Sequence, residues 1–165
     1  MFKAVHTNNG YYCRAKNIGS KKRVLMMKFD TGAVSTVISI EALTKMEIDK
    51  ERFIRKIEGR AEKRIFRSAS GYKMKGYLVH ADDVIMVDTK ISRLYYYLIV
   101  DVNDDVCLLG DDFISKCVFR HNKDGDIEIE DMDTDGYVKG MEESLSRKEV
   151  DEILRVCTLD NIKST

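Results

Sequence analysis

The sequence has 165 residues, of which 44% are hydrophobic and 34% are charged, enough for one modest core and a single domain's length. Its 28 basic side chains equal its 28 acidic ones, which argues against a protein that binds nucleic acid through excess positive charge. No apolar run approaches the length of a membrane span, so we predict no membrane partner.

The four cysteines and three histidines do not suggest a zinc site, because neither set has metal-ligand spacing. Cys13, Cys107, Cys117 and Cys157 contain no CxxC pair, and the first ten residues lack the apolar stretch typical of an export signal. We therefore expect reduced thiols and a cytoplasmic protein.

The first part of the chain predicts strands that lead to an aspartate. We expect a loose N-terminal strand, a strand over about residues 11–17, a turn over 18–22 and a strand over 23–29 that ends at Asp30. Ser39 is then placed to cap a short helix over residues 40–46.

The segment Phe29-Asp30-Thr31-Gly32-Ala33 lies between two apolar runs. Its glycine permits a tight turn on which backbone N–H groups can reach the carboxylate. This geometry suits a reactive aspartate and equally an ordinary turn. Chance alone would place Asp-Thr-Gly in a few of about a hundred chains of this length.

A second segment follows about 75 residues later: Val106-Cys107-Leu108-Leu109-Gly110-Asp111-Asp112-Phe113-Ile114. With Phe29–Ala33 it resembles the retroviral-type (retropepsin-like) aspartic peptidases, whose half-site is hydrophobic-Asp-Thr-Gly-Ala followed later by two hydrophobic residues and Gly. The resemblance covers roughly residues 10–130.

The resemblance implies a mostly β fold, a single-lobe retropepsin-like acid-protease barrel with short helices. We therefore predict a peptidase domain over residues 1–130 and, over 131–165, an acidic turn with an added C-terminal helix. That helix should begin near Glu142, with Ser146 as either a cap or an interruption. Its apolar side is predicted to comprise Leu145, Val150, Ile153, Leu154 and Val156.

The resemblance also assigns roles to particular residues. Asp30 would be catalytic, Thr31 would hydrogen-bond across a dimer, and Gly32 would let its backbone approach the carboxylate. Ala33 matches the retroviral pattern. Leu108, Leu109 and Gly110 would cross behind the catalytic loop and support it. Main-chain groups near Ser70, Gly71 and Tyr72 would form the flap that closes on an extended peptide.

The chemistry depends on the number of motifs, because the chain contains one Asp-Thr-Gly. Hydrolysis by carboxylates needs two of them about 3 Å apart that share one proton. The resemblance therefore implies a homodimer in which Asp30 meets its counterpart, one carboxylate activating a water and the other polarising the scissile carbonyl. This aspartic endopeptidase chemistry requires no metal or cofactor.

The middle of the chain predicts further strands and one helix. Residues 47–57 have helical spacing, whereas the stretch to residue 66, residues 84–87 and residues 93–100 read as strands. Three consecutive tyrosines, 95–97, are typical of sheet packing. The basic residues between 52 and 67 have acidic ones interleaved among them and no accompanying aromatic stacking platform, so we predict no nucleic-acid partner.

A hairpin is predicted over residues 118–120 and 126–129, preceded by a short helix from residue 111 or 112 to about 117. The following segment, residues 131–142, matches the calcium-loop template, with Asp131, Asp133, Asp135 and Glu142 as candidate ligands. Its approach alternates like a strand, however, whereas a calcium loop of this type enters from a helix. An acidic turn is the other interpretation.

Two further functions stay open beside the peptidase. One is a catalytically silent retropepsin-like module for dimerisation or peptide binding, since Ser70-Gly71-Tyr72 is not the Gly-rich flap tip of viral enzymes. The other is a calcium-responsive protein in which residues 131–142 control the rest.

Overall fold

A computed structural model describes residues 1–19, 23–68, 70–138 and 143–159 of the chain. The strands are β1 Phe2–Thr7, β2 Gly10–Lys16, β3 Leu25–Phe29, β4 Val37–Ser39, β5 Lys63–Arg67, β6 Lys73–Met86, β7 Thr89–Ile99, β8 Cys107–Leu109, β9 Cys117–His121, β10 Ile127–Met132 and β11 Leu145–Ser146. The helices are α1 Ile40–Leu43, α2 Lys50–Ile57, α3 Asp111–Ile114, α4 Thr134–Val138 and α5 Arg147–Cys157. None of the helices in these ranges is both long enough and apolar enough to cross a membrane.

Six strands close into a barrel in the order β6, β7, β4, β8, β3, β2, and the last pairs with the first. Ala15 opposite Met86 makes that closure. Closure leaves no free edge in this part of the sheet, which favours a single register. Met27 and Ile38 are fully buried here, each stabilising the fold by about 1.5–3 kcal/mol.

The loop that carries Asp30 is positioned by the pairing of β3 with β8 and of β8 with β4. β3 runs parallel to β8, with Phe29 beside Leu109, and β8 runs antiparallel to β4. The two sequence segments that carry the retropepsin resemblance therefore lie next to each other in space.

A second group of strands extends from the barrel. β1 pairs with β2 over residues 5–7 and with β10 over residues 2–4, and β10 pairs with β9. The predicted hairpin of residues 118–129 is thus present, and β9 forms the outer edge of this group.

The longest element is the antiparallel pair β6 and β7, which runs from Gly76 opposite Ile99 to Met86 opposite Thr89. The predicted strand 84–87 is the end of β6, which runs from Lys73 to Met86 because it pairs first with β5 and then, from Gly76 onward, with β7. Tyr95, Tyr96 and Tyr97 are buried, which confirms that they pack in the sheet.

The short helices α1 and α3 begin where predicted but end earlier than predicted, whereas α2 begins later, at Lys50, and ends at Ile57 as predicted. Ser39 accepts a hydrogen bond from the N–H of Ala42, yet α1 ends at Leu43 because Thr44 returns to an extended conformation. α3 likewise ends at Ile114 rather than near residue 117, and β9 begins at Cys117.

The predicted start of the C-terminal helix near Glu142 is wrong. Leu145 and Ser146 are extended and pair in parallel with β6. Ser146 and Glu149 then form a capping box, each side chain accepting a backbone N–H of the other residue, and this fixes the start of α5 at Arg147. On its inner face Cys157 is buried, whereas Val156 is exposed.

Candidate active site

Asp30 follows β3 on a turn held by two backbone–backbone hydrogen bonds and by one that its side chain accepts. Its N–H donates to the Leu109 carbonyl at 2.9 Å, and its carbonyl accepts from the Ala33 N–H at 3.2 Å. Its Oδ1 accepts from the Gly32 N–H at 2.9 Å. The carboxylate is therefore fixed in direction while the side chain stays half-exposed, as a reacting group must be.

The end of this turn is attached to the start of α3. The carbonyls of Ala33 and Val34 accept from the N–H groups of Asp111 and Asp112 at 2.7 and 3.1 Å. The backbones pass so closely that a Cβ at Gly110 would lie 2.3 Å from the carbonyl carbon of Ser35. Position 110 therefore requires glycine for close approach, consistent with the supporting role predicted for it.

Behind the turn, Thr36 and Asp112 form a polar network. The Thr36 N–H donates to both Asp112 oxygens at 3.0 Å. The Thr36 hydroxyl donates to Asp112 Oδ1 at 2.8 Å and accepts from the Gly110 N–H at 3.1 Å. Burial raises the pKa of Asp112 even though these donors oppose the change. Sequence reasoning missed this pair, although Asp112 lies in the second motif segment.

A cavity of about 530 Å³ adjoins the turn. It is lined by the segment after Asp30 on one side and the β5–β6 hairpin on the other, with these residues: Gly32, Ala33, Val34, Ser35, Val37, Arg64, Ile65, Phe66, Arg67, Ser68, Met74, Ile99 and Leu108. Most of these side chains are apolar, as in a cleft that binds peptide side chains.

The β5–β6 hairpin turns over residues 68–72, where the flap was predicted. The Ser68 N–H donates to the Tyr72 carbonyl at 2.9 Å, and the Ser68 hydroxyl accepts from the Tyr72 N–H at 3.1 Å. Gly71 has a φ of +84°, which favours glycine. The hairpin lines the cavity through residues 64–68 and Met74, whereas Ser70, Gly71 and Tyr72 lie at its turn, outside the lining.

Arg64 is a lining residue that the sequence did not single out. Its Nη1 donates to the Ser35 hydroxyl at 3.0 Å, and its guanidinium lies 4.9 Å from the centre of the Tyr97 ring. Arg64 thus connects the hairpin to the segment after Asp30. The signal for it was the basic run between residues 52 and 67, which sequence reasoning considered only for nucleic acid.

The candidate calcium segment begins as strand and helix in its described part. Asp131 lies in β10, which ends at Met132, and Asp133 Oδ1 accepts from the Gly136 N–H at 2.9 Å, at the start of α4. In the part of the chain that the structure describes, no three His, Cys, Asp or Glu side chains are grouped to hold a metal. Glu142 lies outside the described residues, so calcium binding stays a prediction.

Comparison with known proteins supports the fold. The chain resembles the crystal structure of a retropepsin-like aspartic protease from Rickettsia conorii, with a TM-score of 0.50 and 18% sequence identity, over 77% of this chain and 97% of that one. No family model matches the chain, and no curated protein matches it. At this identity the likeness concerns the fold alone.

The chain therefore has a retropepsin-like fold: mostly β, with a closed six-strand barrel, short helices and a C-terminal helix. The fold prediction from two short motifs is confirmed. The roles of Asp30, Thr31 and the flap residues stay predictions, as does the division of the chain at residue 130.

Proposed function

We propose that the protein is an aspartic endopeptidase that hydrolyses peptide bonds with a water activated by Asp30 and the Asp30 of a second copy. The observation that carries this proposal is the turn geometry. Asp30 is held by the Gly32 N–H and the Leu109 carbonyl, directly before residues 32–35, which line a cavity of about 530 Å³.

The homodimer follows from the chemistry. One carboxylate cannot act as base toward a water and as acid toward the substrate carbonyl at the same moment. Two carboxylates about 3 Å apart hold one proton between them, because like charges at that distance cannot both ionise. The unprotonated member accepts a proton from the attacking water while the protonated member donates its proton to the carbonyl oxygen, which gives a diol. The proton taken from water then passes to the leaving amine as the C–N bond breaks, and a diol hydroxyl returns a proton to the other carboxylate, so the pair again holds one proton.

The cavity suits an extended peptide with apolar side chains. Val34, Ile65 and Phe66 contribute its apolar walls, and β5 has one described strand partner, β6. Its other edge can therefore hydrogen-bond to a peptide backbone, as when a strand is added to a sheet.

Cleavage of a peptide library tests the proposal. The wild-type protein should cleave, and Asp30→Asn should lower the rate by about a thousandfold or more while it keeps the wild-type mass in solution. Asp111→Asn is the matched control, because Asp111 is exposed on nearby α3 and should leave the rate unchanged. Cleavage that persists in Asp30→Asn would contradict the proposal.

A silent peptide-binding module is the alternative function, and the same cavity favours it. Peptides that bind equally to the wild type and to Asp30→Asn, with no cleavage by either, would select this alternative. The cytoplasmic location stays a prediction from the cysteine spacing. A calcium-responsive role would require heat on calorimetric titration with calcium.

A further inference from the structure

Both charged side chains among the described residues that line the cavity beside Asp30 are arginines. Arg64 and Arg67 come from β5, and the other lining residues are apolar, serine or glycine. A guanidinium in mostly apolar surroundings attracts a carboxylate more strongly than it does in bulk water, because the local dielectric constant is lower. The lining therefore favours a substrate that brings negative charge into a cleft with apolar walls.

Arg64 is held in a fixed orientation on the cavity wall. Its Nη1 donates to the Ser35 hydroxyl at 3.0 Å, and its guanidinium lies 4.9 Å from the centre of the Tyr97 ring. That ring is fixed in turn, since its hydroxyl donates to Glu62 Oε2 at 3.1 Å and Phe66 packs edge-to-face on it, with centroids 5.3 Å apart. Binding a ligand therefore costs Arg64 little side-chain entropy.

The rest of the Arg64 guanidinium is available to a ligand. The side chain is 46% exposed, and Glu62 Oε1 lies 3.8 Å from Nη2, which is longer than a hydrogen bond. Within the ranges that the structure describes, Nε and Nη2 donate no hydrogen bond, and Nη1 alone is used. Nitrogen atoms of a planar guanidinium match the two oxygen atoms of a carboxylate in spacing and direction.

The β5–β6 hairpin that carries Arg64 has an excess of positive charge. Between residues 63 and 81 the sequence has five basic side chains and no acidic one. Arg67 lies opposite Lys73, and like charges directly opposite on neighbouring strands destabilise a sheet. The described ion pairs on the hairpin involve Lys63 and Arg64 but neither member of this pair. Negative charge bound in the cavity would offset the repulsion.

We infer that Arg64 selects peptide substrates with an acidic side chain beside the apolar residues that fill the cavity. The carboxylate of an Asp or Glu in the peptide accepts hydrogen bonds from Nε and Nη2 of Arg64, and Arg67 adds attraction at longer range. Arg64 already joins the hairpin to Ser35, so the carboxylate is bound where the hairpin meets the segment after Asp30. The inference rests on the proposed function and adds the class of substrate, acidic peptides over neutral or basic ones.

Matched peptides test the selectivity. In a cleavable peptide, one position at a time is occupied by Glu, Gln or Lys, and kcat/KM is measured for each peptide. At one position Glu should exceed Gln by more than about tenfold, because a hydrogen bond to a charged group is typically at least this strong. Lys should be the poorest of the three at that position. Equal kcat/KM values for Glu and Gln at every position would overturn the inference.

Variants of Arg64 locate the selecting charge. Arg64→Glu should make Lys the preferred residue at the selected position, and Arg64→Gln should make Glu and Gln equal. Loss of an arginine that only supports the fold would instead lower the cleavage of all three peptides alike, which would contradict selection by Arg64. Arg155→Gln is the control, because Arg155 is an exposed arginine in the last turn of α5, and it should keep the preference for Glu. A preference that persists in Arg64→Gln but is lost in Arg67→Gln would also overturn the assignment.

This inference and the proposed function can fail separately. Cleavage without any preference for Glu would support the peptidase and overturn the selectivity. Fluorescence anisotropy of labelled peptides measures binding to the wild type and to Asp30→Asn. Tighter binding of the Glu peptide than of the Gln peptide, with no cleavage by either protein, would support the selectivity and contradict the peptidase. Equal binding of both peptides with no cleavage would contradict both.

Discussion

The two sides of the cavity are held in different ways. The Asp30 turn is held by the hydrogen-bond network of Thr36 and Asp112 and by the close approach of Gly110 to Ser35. The hairpin turn opposite it depends on exposed hydrogen bonds, such as those between Ser68 and Tyr72. Buried hydrogen bonds cost far more to break than exposed ones, because water replaces an exposed partner.

This difference suits the two sides of the cavity to different tasks: one side can hold a side chain in place, and the other can open to admit a peptide. A reacting carboxylate must stay within a few tenths of an ångström of its productive place, which a buried network achieves. A segment that admits a peptide must open at little cost, which exposed bonds permit. One substitution type, glycine to alanine, can be made on both sides and measures the contrast directly.

The largest effect is expected from Gly110→Ala. The new methyl would lie 2.3 Å from the Ser35 carbonyl carbon, so the backbone must move and the free energy of unfolding should fall by more than about 3 kcal/mol. Denaturant unfolding would measure it, with Gly125→Ala as control, because a Cβ at Gly125 meets nothing within 4 Å. A loss of unfolding free energy no larger than that of the control would show that the backbone around Gly110 can move at little cost.

Asp112→Ala should have the next largest effect. It leaves the Thr36 N–H, the Thr36 hydroxyl and the Phe113 N–H without their acceptor, which should cost about 2 kcal/mol of unfolding free energy. Asp111→Ala, which removes an exposed carboxylate from the same helix turn, should change the thermal midpoint little. Equal midpoints for the two variants would argue against the network.

Gly71→Ala should cost about 1 kcal/mol or less, because the residue has a φ of +84° but open space around its Cα. Hydrogen exchange of residues 68–72 would measure whether the hairpin turn opens more often than in the wild type, while amides of β3 keep their protection. A loss of unfolding free energy as large as that of Gly110→Ala would remove the contrast between the two sides.

The smallest effect concerns pH and a histidine in the middle of β6, the hairpin's second strand. Burial, aided by Arg93, lowers the pKa of His80 below its ordinary value of 6.5, and its Nδ1 lies 2.7 Å from the Ser144 hydroxyl. Stability from the neutral ring is present above pH 6.5 and is lost as the pH falls further, because the unfolded chain binds the proton first.

His80→Gln should therefore reduce the fall in thermal midpoint between about pH 7.5 and about pH 5.5. Glutamine keeps a hydrogen-bonding group but does not titrate. An unchanged pH dependence in the variant would assign the effect to other groups.

Sequence reasoning found the elements whose signals are local. The Asp30 turn, the Ser39 cap and the tyrosine-rich strand are each specified by neighbours within a few residues. It misplaced the start of α5, because the sequence near Glu142 is as compatible with a helix start as the capping box of Ser146 and Glu149, which places the start at Arg147. It also missed Asp112 and Arg64, whose partners Thr36 and Ser35 are distant in sequence.

By itself the sequence determined the fold class, because the segments around Asp-Thr-Gly and Leu-Leu-Gly resemble the half-site of the retropepsin-like family, and that resemblance also marked Asp30 as the candidate catalytic residue. Only the tertiary structure decided which side chains line the cavity, and that β9 forms an exposed edge against Phe29. The physical reason is that strand pairing joins residues far apart in the chain. The alternation of side chains along a strand shows which residues share a face, but not which other strand will pair with that strand.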